Sequence, residues 1–292
     1  MTLKTVLRGL IGLTLAAGLA AGCGQTQGSG SQVGFNADQV IVVISREDGS
    51  GTRGAFVELA GVQDKDKIDR TTKEAEFVNQ TGVVLTSVQG SETAIGYISL
   101  GSLNDTVKAV KLDGAAPTAE NVKNGSYTLA RPFNIAYKGG PNGLKKDFIH
   151  FIFSKQGQAI AEDRGAIAIE ANAPDYQPGG LTGKLTIAGS SSVTPVMEKL
   201  VEAYMAVNLN TVLELQQSDS SAGMKAVMDG TADIGMASRE LKDSEKEQLN
   251  HTPMAMDGIA VIVNRNNPID SMTKAQIAGI YKGELTIWSE IS

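Results

Sequence analysis

From Asp38 onward, short runs rich in β-branched residues alternate with helical patterns. That alternation restricts the chain to an α/β architecture with largely parallel sheets. The runs at 40–44, 94–99, 107–112, 133–137, 184–188, 212–216, 234–237 and 258–263 read as strands. The segments 52–59, 82–88, 119–123, 144–153, 156–163, 193–206, 222–228 and 274–281 read as helices. With 292 residues, 41% hydrophobic and 20% charged, the chain can bury one large core or two medium ones. The stretch EANAPDYQPGGLTG at 170–183 has prolines and glycines but no apolar period, so composition marks it as a boundary or linker.

The amino-terminal segment is a different kind of sequence. Lys4 and Arg8 precede the apolar run LIGLTLAAGLAAG, which stops at Cys23. The run is short for a membrane-spanning helix and reads as a secretory signal over 1–22. Ala20, Ala21 and Gly22 before the cysteine look like a bacterial lipobox, with Leu19 one place further from the cysteine than is usual, so Cys23 is expected to carry a lipid anchor to the cell membrane. Cys23 is the sole cysteine, which excludes an internal disulfide. Residues 23–35, rich in Gly, Ser and Gln, read as a flexible tether. A formal net charge of −6 gives no long-range attraction to nucleic acid or anionic lipid.

Three places repeat one arrangement, a strand that ends in a Ser/Gly-rich loop and then opens a helix. They are VIVVI-SREDGSG-TRGAFVEL, LTIA-GSSS-VTPVMEKLVEAY and LELQQ-SDSS-AGMKAVMDG. Each leaves unpaired N–H groups at a helix start and adds hydroxyls that can donate. Ser, Thr, Asp and Gly are also ordinary caps and turn formers, so a single loop says little. Three such loops, one with Arg46 and Thr52 around DGSGT, point to a tetrahedral oxyanion.

Rival chemistries are weaker. No loop has the lysine of a GxxxxGK[ST] phosphate loop. GSGTRG, 49–54, fits the GxGxxG spacing of a dinucleotide fold and leaves a Rossmann-type oxidoreductase as an alternative, but no acidic residue closes a recognisable next strand. Of the two histidines, His150 falls on a helical pattern and His251 in a polar connection, and neither is spaced against a serine and an acid. No Cys/His cluster or HExxH pattern suggests a metal.

Five stretches, AGSSSVTP, DIGMASREL, IYKGELTIWSEI, ISREDGSGTRGAF and AIGYISLGSL, together resemble the phosphate-binding proteins of bacterial Pst-type ABC transporters, which are type II periplasmic binding proteins. The resemblance runs from about Asn36 to Ser292. In that family the AGSSSVTP strand opens the mature protein and RxDGSGT follows IWxE, whereas here the second half comes first. The order implies a circularly permuted domain with 170–183 bridging the family's usual ends, or else a piece cut across a tandem pair or a recombined gene model. The family's architecture implies two lobes with a ligand cleft between them: 132–257, and 36–131 together with 258–292, hinged near Asp257–Gly258 and Arg131–Pro132.

Residue by residue, the resemblance places phosphate contacts at Ser191, Ser192 and Ser220, and at Arg46, Ser50, Gly51 and Thr52. Asp48 is expected to orient Arg46. Where well-known members have a carboxylate that accepts the ligand's proton and rejects sulfate, this chain has Ser238. The proton then goes to Ser238, or to Asp219 or Asp48, or discrimination is weaker; neighbouring Arg239 either adds positive charge or is a solvated edge residue. The resemblance implies an extracytoplasmic, monomeric receptor that captures inorganic phosphate for permease subunits, with no catalysis, cofactor or metal. Another oxyanion, sulfate or molybdate, remains an alternative ligand.

Overall fold

The computed structural model describes residues 35–170 and 172–291. The leader, Cys23 and the tether up to residue 34 lie outside the described residues. The strands are β1 (Val42–Arg46), β2 (Glu76–Val78), β3 (Ala94–Ser99), β4 (Lys108–Ala109), β5 (Lys111–Leu112), β6 (Ala130–Tyr137), β7 (Gly183–Ser190), β8 (Thr211–Ser218), β9 (Ile234–Ala237), β10 (Asn250–Val263) and β11 (Ser271–Met272). The helices are α1 (Gly51–Leu59), α2 (Thr81–Gly90), α3 (Ala119–Lys123), α4 (Gly143–Ile152), α5 (Lys155–Asp163), α6 (Thr194–Val207), α7 (Ser220–Met228), α8 (Asp243–Lys246) and α9 (Lys274–Lys282).

The main sheet runs β2-β1-β3-β10-β6-β9-β7-β8, with β4 also on β10. Its flanks are parallel, as the alternation of strands and helices requires: β1 pairs in parallel with β2 and β3, and β7 with β8 and β9. Its centre is not. β10 is antiparallel to both β3 and β6, and β6 is antiparallel to β9, so the expectation of a largely parallel sheet is corrected there. The signal missed was length: β10 begins at Asn250, eight residues before the apolar run at 258–263, and its opening residues Asn250, His251 and Thr252 are polar and not buried, so they carry no apolar signal. His251 therefore lies on a strand, paired with Ala136, and not in a connection.

β10 joins two halves of the molecule. Residues 250–258 pair with β6, and Ile259–Val263 pair with β3. On the β3 side, Phe56, Tyr97, Tyr281 and Trp288 centre one apolar cluster, and Val84, Val88 and Ile262 a second on the other face. On the β6 side, Phe148, Met197 and Tyr204 centre a third, and Met224, Val227 and Leu241 a fourth.

The ends of the described chain meet. Ile41 N–H donates to Thr286 O at 2.8 Å, Ser289 N–H to Ala37 O at 2.7 Å, and the Trp288 indole to Thr93 O at 3.0 Å. The segment 172–183 is also tied down. Lys155 N–H donates to Pro174 O at 2.8 Å, and the Tyr176 and Tyr204 hydroxyls share the Asp147 carboxylate at 2.6 and 2.7 Å.

α7 lies on β7 with no room for a side chain between them. A Cβ on Gly223 would stand 2.5 Å from Gly189 Cα and 2.7 Å from Ala188 O, and Gly189 itself has φ +137°, which a larger residue rarely adopts. Gly223→Ala is expected to destabilise the fold by about 1–3 kcal/mol through overpacking, read as a lower denaturation midpoint with unchanged slope.

Candidate anion-binding site

The loops that follow β1, β7 and β8 converge: Thr52 at the start of α1 meets Ser192 just before α6, and Gly51 meets Ser220 at the start of α7, from opposite sides of the seam. Ser50 caps α1 by accepting from Arg53 N–H at 3.3 Å, and Asp219 caps α7 by accepting from Ala222 N–H at 2.8 Å. A fourth start joins them: α2 opens with Thr81 after β2. The positive ends of these helices face a shared polar cluster.

Within the cluster, hydroxyls from the two halves bond one another. Thr52 Oγ1 and Ser192 Oγ are 2.8 Å apart, and Thr81 Oγ1 lies 3.3 Å from Ser191 Oγ and 3.4 Å from Ser192 Oγ. Ser190 Oγ donates to Ser238 Oγ at 2.9 Å, and Ser238 N–H donates to Ser220 Oγ at 3.1 Å. Backbone joins the contact, since Ser221 N–H donates to Gly49 O at 3.2 Å. All these hydroxyl residues are buried. Gly51 allows the closest approach, because a Cβ there would stand 2.3 Å from Ser220 Oγ and 2.8 Å from Ser238 Oγ.

Arg46 is the buried cation of the cluster. Its guanidinium donates to Ser191 Oγ at 3.2 Å and Thr81 Oγ1 at 3.4 Å, and its main-chain N–H to the Tyr97 hydroxyl at 3.1 Å. Burial pushes the Tyr97 hydroxyl up to about 12, so it stays neutral and can accept that bond. The carboxylate that orients Arg46 is Glu47, bound through Nε at 2.7 Å and Nη2 at 2.8 Å. Asp48 does not take that role, which corrects the expectation. Its side chain is 99% exposed and pairs with Arg53 at 2.6 Å, since the turn after β1 points it outward while Glu47 folds back along the strand.

The other supporting residues are also placed differently. Arg239 is buried, not solvated, and its charge is taken up by Glu245 through two bonds of 2.8 Å, so it adds no free cation. Asp219 is occupied as the cap of α7. The Ser50 hydroxyl serves the cap of α1 and lines a neighbouring cavity of about 430 Å³ instead of joining the hydroxyl cluster. The remaining expected residues, Ser191, Ser192, Ser220, Ser238, Arg46, Gly51 and Thr52, come together. Thr81, Ser190 and Glu47 were missed. Thr81 repeats the strand–hydroxyl–helix pattern in EFV-NQ-TGVVL, with a strand of only three residues to announce it.

Among the described residues, no group of three or more His, Cys, Asp and Glu side chains is arranged to hold a metal ion. The arrangement can enclose a small multi-acceptor anion with neutral dipoles and one ion-paired arginine.

Comparison with known proteins agrees with this chemistry. The PBP superfamily domain model matches residues 2–156 and 174–291. The phosphate-binding protein PstS 2 of Streptococcus agalactiae is 47% identical over 290 residues, covering 97% of this chain and 95% of that protein. This chain belongs to the Pst-type phosphate-binding protein family. PstS 2 of Streptococcus pneumoniae is 46% identical over 288 residues, covering 96% of this chain and 98% of that protein. The crystal structure of a phosphate ABC transporter phosphate-binding protein from Streptococcus pneumoniae superposes with a TM-score of 0.71 at 47% identity, over 87% of this chain and 100% of that chain. The family membership and the mixed α/β, periplasmic-binding-protein-like fold therefore agree with the sequence reading.

Two outcomes test the site as built. Gly51→Ala is expected to abolish anion binding while far-ultraviolet circular dichroism stays unchanged, because the added methyl occupies the contact with Ser220 and Ser238. Glu245 offers a pH test. Burial raises its carboxyl but is outweighed by hydrogen bonds from Arg239 and the Lys242 N–H, so it lies below its ordinary 4.5. Its contribution to stability is complete above that ordinary value and fades as pH falls through the lowered one. Glu245→Gln should flatten the acid limb of a stability-against-pH curve there.

Proposed function

We propose that this chain is an extracytoplasmic receptor that binds inorganic phosphate between two lobes and delivers it to the permease subunits of an ABC transporter. The observation that carries the reading is the convergence of Arg46, Thr52, Thr81, Ser191, Ser192, Ser220 and Ser238 from both halves of the sheet into one buried cluster. The named function of the streptococcal relatives supports it. The lobes are 36–131 with 258–292, and 132–257, hinged where β6 and β10 cross.

Admitting an anion exchanges hydroxyl–hydroxyl bonds across the seam for hydroxyl–anion bonds. The lobes must part for entry and close again over the ligand. Ser238 is the acceptor for the phosphate proton, as the member of the proposed acceptor set that lies inside the cluster. Ser and Thr hydroxyls both donate and accept, so the same shell could take sulfate, and that is the second reading. The dinucleotide alternative is disfavoured because the loop at 49–54 lies against Ser192, Ser220 and Ser238 of the opposite half.

The protein acts as a monomer and changes no covalent bond of its ligand. Cys23 carries the lipid anchor, the tether lets the receptor reach its permease, and no helix among the described residues is long and apolar enough to cross a membrane. The motif order is that of a circularly permuted domain, a reading supported by the adjacency of 37–41 to 286–289, as close ends make rotation tolerable.

Calorimetric titration with inorganic phosphate and then sulfate tests the reading. Phosphate is expected to bind, and Arg46→Ala to weaken it by about 1.5–3 kcal/mol, the usual worth of a charged hydrogen-bond donor. Sulfate binding without phosphate binding would replace the reading, and full affinity in Arg46→Ala would remove Arg46 from the site.

A further inference from the structure

Behind the hydroxyl cluster lies a buried ion pair that meets the anion shell through the Ser238 carbonyl. Arg131 on β6 and Asp257 on β10 are cross-strand partners, with side chains 1% and 0% exposed. Arg131 Nε and Nη2 donate to Asp257 Oδ2 at 3.2 and 3.1 Å, and Ser99 Oγ donates to Asp257 Oδ1 at 2.8 Å. The third nitrogen points the other way: Arg131 Nη1 donates to the Ser238 carbonyl at 3.0 Å. The cationic end of the pair thus faces the anion site, and the anionic end faces Ser99 at the end of β3.

A second side chain of β6 grips the same segment. Asn134 Nδ2 donates to the Arg239 carbonyl at 2.9 Å, so two consecutive carbonyls after β9 are fixed from below. Held this way, Ser238 presents its N–H to Ser220 Oγ and its Oγ to the Ser190 hydroxyl. Ser220 Oγ and Ser238 Oγ, which accept in these two bonds, each keep a proton to donate into the seam. As a device for stability alone such a pair is poor, because desolvating two charges costs about as much as their attraction returns. Its electrical reach is felt in the site. Burial lowers the proton affinity of Arg131, Asp257 opposes that shift, and the Arg46 charge adds to it. Burial likewise pushes the Asp257 carboxyl above its ordinary range, with Arg131 and Ser99 opposing.

We propose that Arg131 and Asp257 are a positioning pair for anion binding. The pair clamps the Ser238 segment and turns its cationic end to the seam, so anion affinity depends on the charge of two residues that never touch the ligand. This rests on the anion-receptor reading above.

The test titrates inorganic phosphate into the protein and into Arg131→Lys, Arg131→Met and Asp257→Asn, with thermal unfolding recorded for each. Asp257→Asn, which leaves the arginine uncompensated, is expected to bind several-fold more tightly. Arg131→Met should bind more weakly by on the order of tenfold, and Arg131→Lys should recover most of that loss. A purely structural pair would weaken binding in both Asp257→Asn and Arg131→Met. That result, or unchanged affinity in Arg131→Met, overturns the proposal. If Asp257→Asn fails to fold, the lysine decides alone: recovery supports the proposal and a loss equal to that of methionine overturns it. No phosphate heat in the unaltered protein would overturn the receptor reading itself, and this proposal with it.

Discussion

The antiparallel pairing of β6 and β10 is the constraint on which the rest of the molecule depends. It runs through eight partner positions, from Asn250 opposite Tyr137 to Gly258 opposite Ala130, with one irregularity between Pro253 and Ala255. Past Gly258, β10 leaves β6 and continues along β3. One strand therefore belongs to two separately packed cores, and the polar loops at the ends of the parallel strands are brought face to face. A break at this crossing would leave each half with its own apolar clusters but separate the hydroxyls of Thr52 and Thr81 from those of Ser191 and Ser192.

The cluster itself shows how an anion shell can be buried without strong net charge. Arg46 is matched by Glu47 within the same strand end, Arg239 by Glu245, and Arg131 by Asp257. What remains directed inward is a set of hydroxyls and first-turn N–H groups, each a modest dipole and each already hydrogen-bonded or close to a partner. Such a shell is cheap to bury because its members satisfy one another. It can also exchange those mutual bonds for bonds to an incoming multi-acceptor ligand without leaving an isolated charge behind.

The sequence made much of this legible, and the limits have physical causes. Strands that are buried throughout, such as β3 and β9, were bounded to the residue, because full burial leaves a nearly continuous apolar signal. The short strands β2 and β11 were invisible: a run of two or three residues has no period. Loops at strand ends announced their hydroxyls, which is why seven of the expected contacts gather in one place. Side-chain orientation after a tight turn was not legible. Glu47 and Asp48 are adjacent and chemically alike, and only the path of the backbone decides that the first meets Arg46 and the second meets Arg53. The antiparallel centre was likewise hidden, since strand direction depends on which distant strand becomes the neighbour.

The way the ends of the described chain interlock also bears on the order in which the molecule can be assembled during synthesis. Most of the half built on β6 to β9 comes from one continuous stretch that needs only the first part of β10 to complete its sheet. The half built on β1 and β3 emerges first, yet its core includes Ile277, Ile280, Tyr281 and Trp288 from the far end. α1 and the faces of β1 and β3 that pack with it must therefore wait, uncovered, until the last helix has been made, whereas α2 packs with Ile44, Ile98 and Ile262 and needs only β10. For this order of elements, vectorial folding finishes where it began, and the earliest-made segment is the one most dependent on protection from aggregation until then.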